Sequence, residues 1–144
     1  ELGLGTVDTT AATTVADTRA DFDLCGTVDT GWLTNQMTAV EGWQINDQAL
    51  RRSGNVVMIR LIFERTGSTI SVPADGNIVN SEICALPDWA VPLYHASLAP
   101  SSTGPVCSGT VSPVSRGVSL AAVGASTVIT SGTRLSLGGT YIVG

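Results

Sequence analysis

The 144-residue chain is 43% hydrophobic and only 13% charged, and its net charge is −5. That length suits one domain with an appendage. All seven positive charges are arginine, which excludes a phosphate-loop lysine or a Schiff-base lysine, and Arg51-Arg52 is too small a basic patch to predict nucleic-acid binding.

The chain opens on Leu2-Gly3-Leu4-Gly5-Thr6-Val7-Asp8-Thr9-Thr10, in which glycines sit beside alternating Leu and Val. Glycine there allows close approach of backbones, and the short polar groups of Asp8, Thr9 and Thr10 can tie turn backbone. Gly26-Thr27-Val28-Asp29-Thr30-Gly31 echoes the string 21 residues later. Two copies are too few for a stacked repeat array, so the echo reads as a shaft-like element or as chance. Residues 1–31 hold six acids against Arg19 alone, whereas residues 32–144 hold six acids and six arginines. This break divides the chain into an acidic segment, 1–31, and a neutral body, 32–144. Asp21-Phe22-Asp23-Leu24-Cys25-Gly26 approaches a calcium loop, but Cys25 and Trp32 stand where such a loop needs ligands.

Beyond Trp32 the apolar residues recur with period two, and no stretch carries a helical stripe over several turns. The clearest strand is 55–66. Val57, Ile59, Leu61 and Phe63 make one wholly apolar face, while Val56, Met58, Arg60, Ile62 and Glu64 make a mixed second face. The first face predicts core. The second is too apolar for open water and predicts contact with a neighbouring sheet or subunit, with Met58, Arg60 and Ile62 at its centre. Further strands are predicted over 43–50, 69–72, 77–86, 90–98, 106–111, 118–123, 127–129, 134–137 and 140–143. Turn chemistry separates them at Thr66-Gly67-Ser68, Ala74-Asp75-Gly76, Gly124-Ala125-Ser126 and Gly138-Gly139, among others. Eight to ten short strands with this punctuation predict an all-β antiparallel sandwich or jelly roll. Pro87 and Pro92 bracket Trp89 and place it at a sheet edge or in a connection.

Chemistry-bearing residues are few. The three cysteines, Cys25, Cys84 and Cys107, cannot all pair within one chain. Cys84 and Cys107 lie in apolar runs and read as buried thiols, with a disulfide between them the lesser alternative. Cys25, Cys84, Cys107 and His95 lack the local spacing of a structural zinc site, so no metal or cofactor is expected. His95 is the one histidine, and Gly117-Val118-Ser119-Leu120-Ala121 misses the last glycine of a nucleophile elbow. Carboxylates such as Glu41, Glu64 and Glu82 are available for glycan cleavage, yet nothing in the sequence brings a chosen pair together. Enzymatic activity is not expected. The longest apolar runs are broken by Arg60 or by polar residues short of a membrane span, which predicts no membrane insertion.

The opening string resembles the L-G-L-G-N-V-D-N-T motif of bacteriophage fibre shafts, and further segments extend the likeness over most of the chain. Gly42-Trp43 precedes Gly54-Asn55-Val56-Val57-Met58-Ile59-Arg60-Leu61. Ile83-Cys84-Ala85-Leu86-Pro87-Asp88-Trp89-Ala90-Val91-Pro92 resembles an I-A-x-L-P-x-G-x-x-P segment, with Trp89 in place of its glycine. Gly139-Thr140-Tyr141-Ile142-Val143 resembles a closing G-T-Y-I. The Lys-Pro that commonly follows the leader motif is absent. The resemblance implies a homotrimer of antiparallel jelly-roll heads, similar in shape to the trimeric heads of complement and tumour necrosis factor proteins. It also implies a place on the virion, on the tail or the capsid, with residues 1–31 joining other virion proteins.

Trp32, Trp43, Trp89, Tyr94 and His95 could supply stacking surfaces for a sugar or a teichoic polymer. Tryptophan is usually largely buried, which favours core or interface for Trp32 and Trp43. Trp89, in its proline-bracketed loop, stays with Tyr94 and His95 as a candidate ligand site. The expected function is adhesion by a virion fibre head, including contact with a host surface glycan. The alternatives are a capsid decoration protein, a carbohydrate-binding module and, more remotely, a hydrolase of surface glycans.

Overall fold

The computed structural model describes residues 28–101, 105–125 and 127–144; the leader motif, the calcium-like loop and Cys25 fall outside them. Ten strands follow in order: β1 (Thr38–Ala39), β2 (Trp43–Ser53), β3 (Val56–Arg65), β4 (Ile70–Ser71), β5 (Asn77–Ala85), β6 (Ala96–Pro100), β7 (Cys107–Ser112), β8 (Gly117–Val123), β9 (Val128–Ile129) and β10 (Arg134–Ile142). All pairings are antiparallel. No helix among the described residues is long and apolar enough to cross a membrane.

Alternation forms these strands as period two requires. Val57, Leu61 and Phe63 are fully buried and Ile59 nearly so, whereas Val56, Met58, Arg60 and Ile62 of the same strand point the other way and keep part of their surface. Eight strands form one sheet in the order β1-β5-β8-β7-β6-β10-β3-β2, and β4 with β9 forms a separate ribbon. Strand β6 joins the two halves: Ala96–Leu98 pair with β7, and Ala99 and Pro100 pair with β10. The first and last strands of this order are neighbours in sequence. The Trp43 N–H donates to the Val40 carbonyl, and the Gln48 side chain accepts from the Met37 N–H at 2.6 Å and donates to its carbonyl. The sheet therefore curls back on itself as a sandwich that nearly closes into a barrel. Its filling comes from alternate residues of both halves, including Leu50, Phe63, Ile83, Leu98, Val111, Leu120, Leu135 and Leu137.

Three elements differ from the sequence expectation, each for a physical reason. Strands expected over 134–137 and 140–143 are one strand, β10, paired with β3 along its whole length. Gly138-Gly139 is no turn. A Cβ on Gly138 would stand 2.9 Å from Ser101 Cβ, and one on Gly139 would stand 2.9 Å from Leu98 Cδ2. These glycines let neighbouring chain approach a strand interior. Gly138→Val is therefore expected to lower stability by about 1–3 kcal/mol, read from the urea midpoint at unchanged slope. The strand expected over 90–98 forms only from Ala96. Before it comes a 3-10 turn, Asp88–Ala90, then an isolated bridge between Pro92 and Val143. Proline at 87 and 92 cannot donate to a ladder, which limits regular pairing there. The sequence reading places no strand at β1, because Thr38-Ala39 has no apolar alternation around it.

Val28–Gly31 belong to the acidic segment in sequence but are hydrogen-bonded to the body. Gly54 N–H donates to the Val28 carbonyl, Thr30 N–H to the Arg52 carbonyl, and Leu33 and Leu50 exchange both backbone bonds. Asp29 accepts from Arg51 at 2.5 Å and 3.0 Å and from the Gly31 N–H at 2.9 Å. These donors, the guanidinium first, hold its carboxyl below the usual aspartate range.

Candidate functional site

The two halves of the sheet present unlike outer faces. On β2-β3-β10, residues directly opposite one another share a side. Arg51, Met58 and Thr140 form one row of the outer face, and Ser53, Val56 and Ile142 form the next. Pro92 bridges Val143 and the Leu93 N–H donates to the Ile142 carbonyl, which extends the second row to Leu93. Ile142 is 61% exposed, Leu93 53% and Val56 38%, while Met58 and Ile62 are half-buried. Further along, Arg60 pairs with Asp47 at 2.9 Å and Arg134 with Glu64 at 2.7 Å. These pairs are open to water and contribute little stability singly. The exposure of Val56, Arg60, Thr140 and Ile142 means that no other described part of the chain lies over this face.

Met58, Arg60 and Ile62, the interface residues expected from sequence, thus lie side by side on an uncovered surface. Leu93 and Ile142 share this face, which the sequence alone does not show, because only the register of β10 against β3 and the Pro92 bridge bring them beside Val56. Trp43 is core, in edge contact with Phe63 at 5.4 Å and capped by the Arg65 guanidinium at 4.9 Å. Trp32 is not core: it is 54% exposed, because its neighbour Leu33 takes the position paired to buried Leu50.

The outer face of β5-β8-β7-β6 is hydroxylic instead. Register aligns Ser97, Thr110, Ser119 and Glu82 in one row across four strands. Beside it, Ser112 pairs with Gly117. Glu82, His95, Thr110, Ser112, Val114, Ser115 and Ser119 line a groove of about 490 Å³, a volume within the roughly 300–1,000 Å³ of ligand sites. Ser112 Oγ accepts from the N–H groups of Val114 and Ser115, fixing the β7–β8 turn that walls one end. Among the described residues no three His, Cys, Asp or Glu side chains converge as a metal-ligand set.

The three ligand candidates from sequence do not form one site. Trp89, in the 3-10 turn, is half-buried against the core, and its carbonyl accepts from Arg52 at 3.2 Å. Tyr94 is 80% exposed and lines none of this groove. His95 alone joins it. In the sequence Glu82 is an acid without an assigned partner and Ser119 lies in an incomplete nucleophile elbow. Their adjacency depends on the pairing of β5 with β8, which alternation within one strand cannot reveal.

Cys84 and Cys107 are both free and buried. Cys84 Sγ lies 3.9 Å from Met37 Sδ, and Cys107 Sγ donates to the Ser136 carbonyl at 3.4 Å. Burial pushes the Cys84 thiol up to about 12 and raises Cys107 as well. In a Cys25→Ser background both thiols should therefore resist Ellman's reagent at pH 8 until denaturant is added. The raised Cys84 pKa contributes stability fully present below its unfolded value near 9, and this is lost as pH rises toward 12.

No protein-family model and no curated protein matches this sequence.

Proposed function

We propose that the chain is the head of a bacteriophage fibre, a structural virion protein that assembles as a homotrimer and attaches the particle to a host surface. The observation that carries this reading is the β2-β3-β10 outer face, where Val56, Met58, Ile62, Leu93 and Ile142 find no cover within their own described chain. An apolar patch rimmed by charged groups is the usual form of a protein contact surface. The fibre assignment and the threefold number are supported by the leader motif and the closing Gly139-Thr140-Tyr141-Ile142 string.

A jelly roll is favoured by the out-of-sequence neighbours β3-β10-β6 and β5-β8 in an eight-stranded sheet, since jelly rolls are built from Greek keys. In this reading residues 1–31 form the shaft side and join other virion proteins, at the tail or as a capsid decoration. The test is native mass spectrometry of the purified protein. Three copies of the 14.8 kDa chain are expected in one particle, and a monomer that persists at high concentration rejects the reading.

A further inference from the structure

We infer that the groove between Glu82 and His95 is a binding site for a neutral saccharide. Among the described residues, the side chains of Glu82, His95, Thr110 and Ser119 form no hydrogen bond within the chain, so their full capacity faces the groove. Ser119 is only 8% exposed, yet no buried side-chain polar atom lacks a partner. Its hydroxyl is therefore reached from the groove and not sealed beneath it.

The inventory matches sugar hydroxyls. A carboxylate only accepts, while serine and threonine hydroxyls both donate and accept, so a polyol can donate to Glu82 and close bonds with Ser119 and Thr110. Bonds to the ionised group are the strong ones and would fix orientation. The floor is low: Gly117 lacks a Cβ, and one placed there would stand 2.5 Å from Glu82 Oε1 and 2.7 Å from the Cys84 carbonyl. The carboxylate thus folds down over β8 instead of reaching into solvent. Val114, 84% exposed, offers a methyl wall to the C–H side of a ring.

Charge selects within the class. Among the described residues no arginine lines the groove, so a phosphate polymer or an acidic sugar would meet Glu82 without a counter-charge from them. A teichoic polymer is thereby disfavoured at this site. Among the described residues Glu82 is the single carboxylate of the lining, whereas glycoside hydrolysis uses a pair, so the inference is of binding alone.

This inference rests on the adhesive reading above for its biological setting, and it names the class of glycan held. The test is a titration of the ¹⁵N-labelled full chain with methyl N-acetylglucosaminide and methyl glucoside, with methyl glucuronide as the anionic control. Amide shifts are expected at Thr110, Gly117 and Ser119 with the neutral glycosides, and weaker ones with the glucuronide. Glu82→Gln keeps shape and should weaken binding about tenfold. His95→Ala, at an exposed position, should weaken it about two- to threefold. Silent amides in the groove, equal binding of the glucuronide, or undiminished binding by Glu82→Gln would overturn the site. Particle mass measured on the same samples separates the two proposals. A trimer with a silent groove removes only the sugar site, and a monomer that binds removes only the fibre head.

Discussion

Ile142→Arg is expected to break the proposed trimer into single chains, while Val79→Arg leaves it whole. Ile142 is 61% exposed in the single chain and sits in a row with Val56 and Leu93. An apolar anchor at the centre of an interface typically costs about 2 kcal/mol or more when lost. That is about 30-fold in affinity. In a closed ring of three every interface is equivalent, so the factor enters three times. An arginine there adds an unpaired charge, which a dry contact tolerates badly. Val79 is 97% exposed on β5, in the other half of the sheet, and its substitution controls for added charge alone. Light scattering across a dilution series reads both variants. Far-ultraviolet circular dichroism should be unchanged in each, since neither side chain belongs to the core.

Phe63→Ala should cost about 3–5 kcal/mol, about a fifth or more of the stability of an ordinary domain. Phe63 is fully buried at the end of β3, with its ring edge-on to Trp43 at 5.4 Å. Trp43 in turn donates from Nε1 to Ser81 Oγ at 3.3 Å and lies under Arg65. Removing Phe63 leaves a cavity and also frees Trp43, which ties β2 to β5 near the place where the sheet closes. Urea unfolding should show a lower midpoint with unchanged slope, compared at equal protein concentration because the proposed assembly would add to apparent stability. A loss below about 1 kcal/mol would mean that the barrel end repacks to fill the cavity, contrary to this expectation.

The strands were legible in the sequence because alternation is a property of each strand alone. Val57, Ile59, Leu61 and Phe63 announced the core face of β3, and the structure buries all four. Glycine misled where its role was spatial: Gly138-Gly139 has turn composition, but its neighbours Ser101 and Leu98 arrive from other parts of the chain. Of the two places expected for Trp32, core or interface, the structure excludes the core, since the bridge to Leu50 went to Leu33. The candidate sites were the least legible part. Met58, Arg60 and Ile62 lie on one strand and could be read together. The row from Ser97 to Glu82 spans four strands, and its alignment is set by register, which no local pattern encodes.

In the proposed trimer, copies meet through the β2-β3-β10 face. Isotope-filtered NMR on a mixture of methyl-labelled and unlabelled chains tests it directly. The account predicts intermolecular contacts at the methyl groups of Val56, Met58, Ile62 and Ile142, and none at Val114 or Val79. Intermolecular contacts confined to the hydroxylic β5-β8-β7-β6 face, or none at any concentration, would contradict it.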